Sequence, residues 1–242
     1  MSTYRGYRQR SSAMPRLIAL TVLVVVLLVA VAYVYSRVSA ARGTVSAEDL
    51  DRVLLIAAAP NDEGDIVAQI VAVAEVSGSA ATLESVSPSL PVSVPGTSYG
   101  TLQYAYPFGG GAGVASALAE AEDTAPLPYI VIKADELALL VEAAGGVTAD
   151  LPADMTVFDG EQLYTFTKGR NTLSAGELMA LLKGAPYLPP SDRARLDRAL
   201  AGALAEALAA SPDGLAAEAA SGGITTTLDA TALSKLEEIL AE

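Results

Sequence analysis

The 242-residue chain contains no cysteine, no histidine and no tryptophan, and only three phenylalanines. Without cysteine there are no disulfides, no thiol nucleophiles and no thiolate metal sites. Without histidine there is no Ser-His-Asp triad, no imidazole base and no His-ligated zinc. Chemistry is left to carboxylates, arginine, lysine, hydroxyls and the backbone. Charge is also scarce in one region. Residues 17–35, LIALTVLVVVLLVAVAYVY, carry no charged side chain at all.

That run is nineteen residues long. As a helix it covers ~28 Å, close to the hydrocarbon thickness of a bilayer. Tyr33 and Tyr35 close it where amphipathic rings favour the membrane interface. The sequence therefore predicts one transmembrane helix at 17–35, after a polar tail at 1–16. A cleaved signal peptide is the rival reading, because Val38-Ser39-Ala40 resembles a small-residue cleavage site. Against it, the apolar run exceeds the usual ~7–15 residue signal core. No cysteine follows the run, which excludes a lipoprotein.

Arg5, Arg8, Arg10 and Arg16 precede the run with no acid among them. The positive-inside bias places the N-terminus in the cytoplasm and the C-terminal body outside the cell membrane, in a single-pass arrangement. All 28 acids follow the run, against 11 of the 15 basic residues, so the outer body carries −17. Such a body repels nucleic acid, which argues against a DNA-binding regulator. Abundant alanine without tryptophan fits a GC-rich bacterial coding source.

Residues 36–52 read as a tether and 53–242 as one extracytoplasmic domain, long enough for a substantial core. Buried strands are predicted at 53–58, 65–76 and 81–86, with a turn at 61–64. Prolines and serines through 87–99 exclude a helix or a central strand. The run Gly109-Gly110-Gly111-Ala112-Gly113 lacks the lysine and hydroxyl of a phosphate-cradling loop, so it reads as a flexible turn before a helix over 114–122. A strand at 129–132 and a helix at 134–144 follow, the latter stopped by Gly145-Gly146. A hairpin is expected at 155–158 and 162–167 around Asp159-Gly160. Helices are expected over 174–183, 192–209 and 231–240, with a short strand at 224–228. The alternation gives an α/β class with a mixed central sheet flanked by helices.

Five stretches in register resemble the LytR–CpsA–Psr family of envelope proteins. SVSPSLPVSVPG (85–96) ends in the same Val-Pro-Gly as that family's Ser-Ile-Pro-Arg-Asp stretch. TLQYAYPFGG (101–110) is similar to its Lys-Ile-Asn-x-Ala-Tyr-x-x-Gly-Gly. PYIVIKADELALLVEAAGGV (128–147) resembles its strand, helix and Gly-Gly-Val. KGRNTLSAGELMALLK (168–183) and SDRARLDRAL (191–200) resemble its Lys-Gly…Ala-Leu and Asp-x-x-Arg-x-x-Arg motifs. The resemblance implies a mixed sheet between helices and a groove for a polyprenyl-(pyro)phosphate lipid. It also implies transfer of a glycopolymer from that carrier to peptidoglycan, with Mg2+ on the pyrophosphate.

The departures from the family pattern are heavy. Its first metal-ligand aspartate falls at Ala59, and its following Arg-x-Asp falls at Glu63 and Asp65. Its Arg-Asp pair falls at Pro88 and Ser89, its lysine at Thr101, and its Arg-x-Arg at Lys183 and Ala185. Asp192, Arg195 and Arg198 are retained, while the glutamine that follows becomes Ala199. Each charge-assisted bond lost removes ~1.5–3 kcal/mol. The resemblance therefore implies a degenerate member, a lipid- or partner-binding pseudoenzyme, rather than an active phosphotransferase or a non-binding scaffold. Lys183, Asp192, Arg195 and Arg198 are the candidate lipid-phosphate contacts and Asp65 the candidate metal ligand. Each has a plainer alternative. Asp192, Arg195 and Arg198 share a helix side that solvation and an intrahelical ion pair would also explain. Lys183 is equally a surface lysine, and Asp65 a turn residue.

Overall fold

β1 (Arg52–Pro60) is buried along nearly its whole length, because the sheet is covered on both faces. Val53, Leu55, Ala57 and Ala59 point into one core, and Leu54, Ile56 and Ala58 into the other. The computed structural model describes residues 44–183 and 188–241. The expected tail and membrane helix, residues 36–43 of the tether, and Ala185 lie outside the described residues. Among the described residues, no helix is long and apolar enough to cross a membrane.

β1 pairs antiparallel with β2 (Ile66–Ser77), with a register shift between Ala57 and Ala58, and parallel with β4 (Tyr129–Lys133). β3 (Ala80–Val86) is added antiparallel to β2, and β9 (Ile224–Thr226) antiparallel to β4. The central sheet is thus mixed, in the order β3-β2-β1-β4-β9. The three strands expected first along the chain are β1 to β3. Two small antiparallel pairs accompany them. One is the expected hairpin of β6 (Met155–Phe158) and β7 (Leu163–Phe166). The other joins β5 (Val147–Leu151) to β8 (Gly169–Leu173), which sequence reasoning did not anticipate.

One face of the sheet carries α1 (Ala105–Glu122), through Val114, Ala115 and Leu118. The glycine run does interrupt the chain as expected, but helix lies on both sides of the interruption, which falls at Gly110 (φ 57°, ψ −150°). The next glycine serves close packing. A Cβ on Gly111 would sit 2.5 Å from the Tyr129 ring and 2.6 Å from Val131 Cγ2, so only glycine lets the helix settle on β4.

The other face carries α2 (Ala134–Ala143), α3 (Ala175–Lys183), α4 (Pro190–Ala209) and α6 (Ala230–Leu240). On α4, Leu196, Leu200, Leu204 and Leu208 are each at most 3% exposed. α4 packs against β5 and β3. A short α5 (Leu215–Ser221) was also unanticipated. Asp229 caps α6 by accepting from Ala232 N–H at 2.8 Å.

Candidate functional site

The first half of α4, the end of β5 and the start of β8 enclose a pocket of about 380 Å³. Its lining includes Arg195, Arg198 and Lys168, three cations, together with Asp150 and the apolar Leu151, Pro152 and Ala199. The β5–β8 pairing sets Leu151 opposite Gly169 and so holds Lys168 at the pocket edge. Lys168 N–H donates to Asp154 Oδ1 at 2.7 Å, which ties down the backbone there. Arg195 is 61% exposed and lies 3.8 Å from Asp192 Oδ1, the loose intrahelical pair that its spacing allowed. Three cations around one opening can receive an anionic oxygen cluster such as a phosphate.

The other two candidates stand elsewhere. Lys183 ends α3 and is exposed. A Cβ on Gly160 would lie 3.4 Å from its Nζ, and its charge acts on Asp159, so it faces the β6–β7 hairpin turn. Asp65 lines a separate pocket of about 530 Å³ with Ile66, Tyr99, Tyr104, Tyr106, Pro107, Phe108 and Gly110. No lysine or arginine is among those lining residues.

The turn before β2 shapes this second pocket. Asn61 Oδ1 accepts from the backbone N–H groups of Glu63, at 3.0 Å, and Asp65, at 2.8 Å. Tyr104 sits beside them. Burial raises its phenol above the ordinary tyrosine range, and the Glu63, Tyr99 and Asp65 charges push it further up. A hydrogen bond with the Asn61 side chain pulls it partly back. Burial also raises Tyr106.

The donor set beside Asp65 does not fit magnesium on a pyrophosphate. The pocket's lining supplies one carboxylate, Asp65. The Asn61 oxygen is already taken by two N–H groups, and the lining offers no cation for the phosphate oxygens.

No protein-family model matches the chain, and no curated protein matches it by sequence. Solved structures do. B. subtilis TagV is 17% identical over 79% of this chain and 80% of its own, with a TM-score of 0.56. The LytR-Csp2A-Psr enzyme from Actinomyces oris is 16% identical over 83% and 77%, with a TM-score of 0.55. The chain has the LytR–CpsA–Psr fold. A further similar structure is TagT bound to LIIa-WTA, 15% identical over 79% and 74%, with a TM-score of 0.52.

On this LytR–CpsA–Psr fold, sequence reasoning missed two features. Lys168 belongs to the cationic pocket, and its only signal was its place at the head of a motif. Asp197 is 6% exposed and bonded to Arg193 at 2.9 Å, hidden among the solvated charges of the same helix. Tyr104, Tyr106 and Phe108, which the sequence reads as core or groove wall rather than a stacking platform, do line a pocket.

Proposed function

We propose that this protein works at the outer face of the cell membrane in glycopolymer assembly, binding an anionic carrier or polymer without transferring it. The fold supports the envelope setting, and TagT, which shares it, has been solved with LIIa-WTA bound. The uncharged run at 17–35 supports a single-pass anchor with the body outside.

One observation carries the non-transferring half. Arg195, Arg198 and Lys168 line one pocket, whereas Asp65 lines another that has no basic lining residue. Phosphoryl exchange on a pyrophosphate needs cations and carboxylate-held metal on the same oxygens. The cationic pocket has one lining carboxylate, Asp150. Asp65, the expected metal ligand, lines the other pocket, so the expected metal and the cations do not meet on the same oxygens. The cationic pocket alone suits binding through Arg195, Arg198 and Lys168.

The test is a transfer assay with the full-length protein in detergent, a polyprenyl-pyrophosphate-linked glycopolymer and peptidoglycan. The expected result is no polymer on peptidoglycan, with polyprenyl phosphate bound in a manner that Arg198→Ala weakens. Polymer transfer would restore the active phosphotransferase reading. Absence of binding would favour a scaffold that retains only the fold.

A further inference from the structure

The pocket beside Asp65 has a chemistry of its own. Tyr99 and Tyr104 stack with ring centroids 4.4 Å apart at 22°, and Phe108 leans on Tyr99 at 5.6 Å and 40°. These rings are not sealed in a core, because Tyr99 is 43% and Phe108 57% exposed. Ile66 beside them is 47% exposed. About 530 Å³ opens against this aromatic wall, with the Asp65 carboxylate in its lining. Glu63 adds a second negative charge at the Tyr104 phenol. The break at Gly110 sets the first turn of α1, which carries Tyr106 and Phe108, apart from the rest of that helix.

Each class of occupant meets this wall differently. An anion meets carboxylates and no lining cation. A wholly apolar guest would take a carboxylate out of water with nothing to pair it. A neutral sugar would stack on the rings and donate hydroxyls to the carboxylate, and is the rival that the titration must separate from a cation. A soft cation answers both features at once, since the ring faces are the negative side of the aromatic quadrupole. The −17 charge of the outer body draws the same ligand inward.

We propose that the pocket formed by Asp65, Tyr99, Tyr104, Tyr106 and Phe108 binds a small organic cation through its ammonium group. The ammonium lies against the aromatic wall and is neutralised by Asp65. This site is separate from the Arg195–Arg198–Lys168 pocket. Its test does not depend on whether the protein transfers a polymer or binds a phosphate.

The full-length protein in detergent is titrated with choline chloride and, in parallel, with 3,3-dimethylbutan-1-ol, the uncharged isostere. Tyrosine fluorescence reports binding, since there is no tryptophan to mask it. Choline should bind, and the neutral isostere at least about tenfold more weakly. Asp65→Asn and Phe108→Ala should each weaken choline about tenfold. Phe108 faces solvent, so its variant keeps the test alive if Asp65→Asn fails to fold. Leu163→Ser, at an exposed apolar position on the β6–β7 hairpin, should leave choline binding unchanged. Equal binding of the two isosteres, binding of N-acetylglucosamine in place of choline, or no choline response in the folded protein overturns the proposal.

Discussion

Arg193 Nε donates to Asp197 Oδ1 at 2.9 Å across one turn of α4, and the accepting carboxylate is only 6% exposed. The Ser87 hydroxyl, just after β3, also favours the ionised form of that carboxylate. This is a charge inserted among leucines, and it persists because its partners are in place. Arg193→Ala leaves the carboxylate buried with one donor fewer. Arg193 is itself 29% exposed, so water softens the loss. The expected cost is about 1.5 kcal/mol, at the low end for a hydrogen bond to a charged group. Urea denaturation at neutral pH measures it as a lower midpoint with an unchanged slope.

The same carboxylate predicts a pH dependence. Burial raises the Asp197 pKa above the ordinary aspartate range, and Arg193 and Ser87 only partly oppose it. The folded state therefore holds this proton more tightly than the unfolded state does. Its contribution to stability is complete below the unfolded pKa and is lost as pH rises through the elevated folded value. Asp197→Asn removes that dependence. The stability of the native protein minus that of the variant should fall with rising pH across this window. A difference that is flat, or that rises, contradicts the assignment.

Gly111 makes a prediction about the helix–sheet contact. An added Cβ would overlap the Tyr129 ring and Val131, both in β4. Gly111→Ala should cost about 1–3 kcal/mol through overpacking. Gly109, two residues earlier, has nothing within 4 Å of its would-be Cβ. Gly109→Ala should stay within about 0.5 kcal/mol. Thermal melts of the two variants side by side separate close packing from a general intolerance of the glycine run.

What the sequence disclosed follows from how local each signal was. The run at 53–58 announced β1 because a strand covered on both faces is continuously apolar, and the leucines of α4 repeat at helical spacing. The Asp159-Gly160 turn gave the hairpin because its two strands are adjacent in the chain. β5 and β8 escaped notice because their partners lie some twenty residues apart. Gly169-Arg170-Asn171-Thr172 in β8 has no apolar alternation either, so only long-range pairing makes it a strand. The glycine run was legible only in half: Gly110 is the interruption expected, whereas Gly111 is a tight contact that a neighbour in the fold, Tyr129, decides. The candidate site was legible only in part. Arg195 and Arg198 share a helix side and meet in one pocket, while the positions of Lys183 and Asp65 depend on tertiary placement that spacing does not encode.

The cationic pocket gives the last prediction. Arg195 meets Asp192 at 3.8 Å and is mostly solvated, so that pair contributes little to stability. Arg195→Ala and Lys168→Ala should each shift unfolding by no more than about 0.5 kcal/mol. Their effect on an anion is different in kind. Each cation that bonds a phosphate oxygen contributes about 1.5–3 kcal/mol, so each variant should weaken pyrophosphate at least tenfold by calorimetry. Since the pocket is open to solvent, raising the salt should weaken binding to the native protein as well. If the two variants bind pyrophosphate as the native protein does, the three cations are merely solvated charges on α4 and its neighbouring strand, and the binding role proposed for this pocket fails.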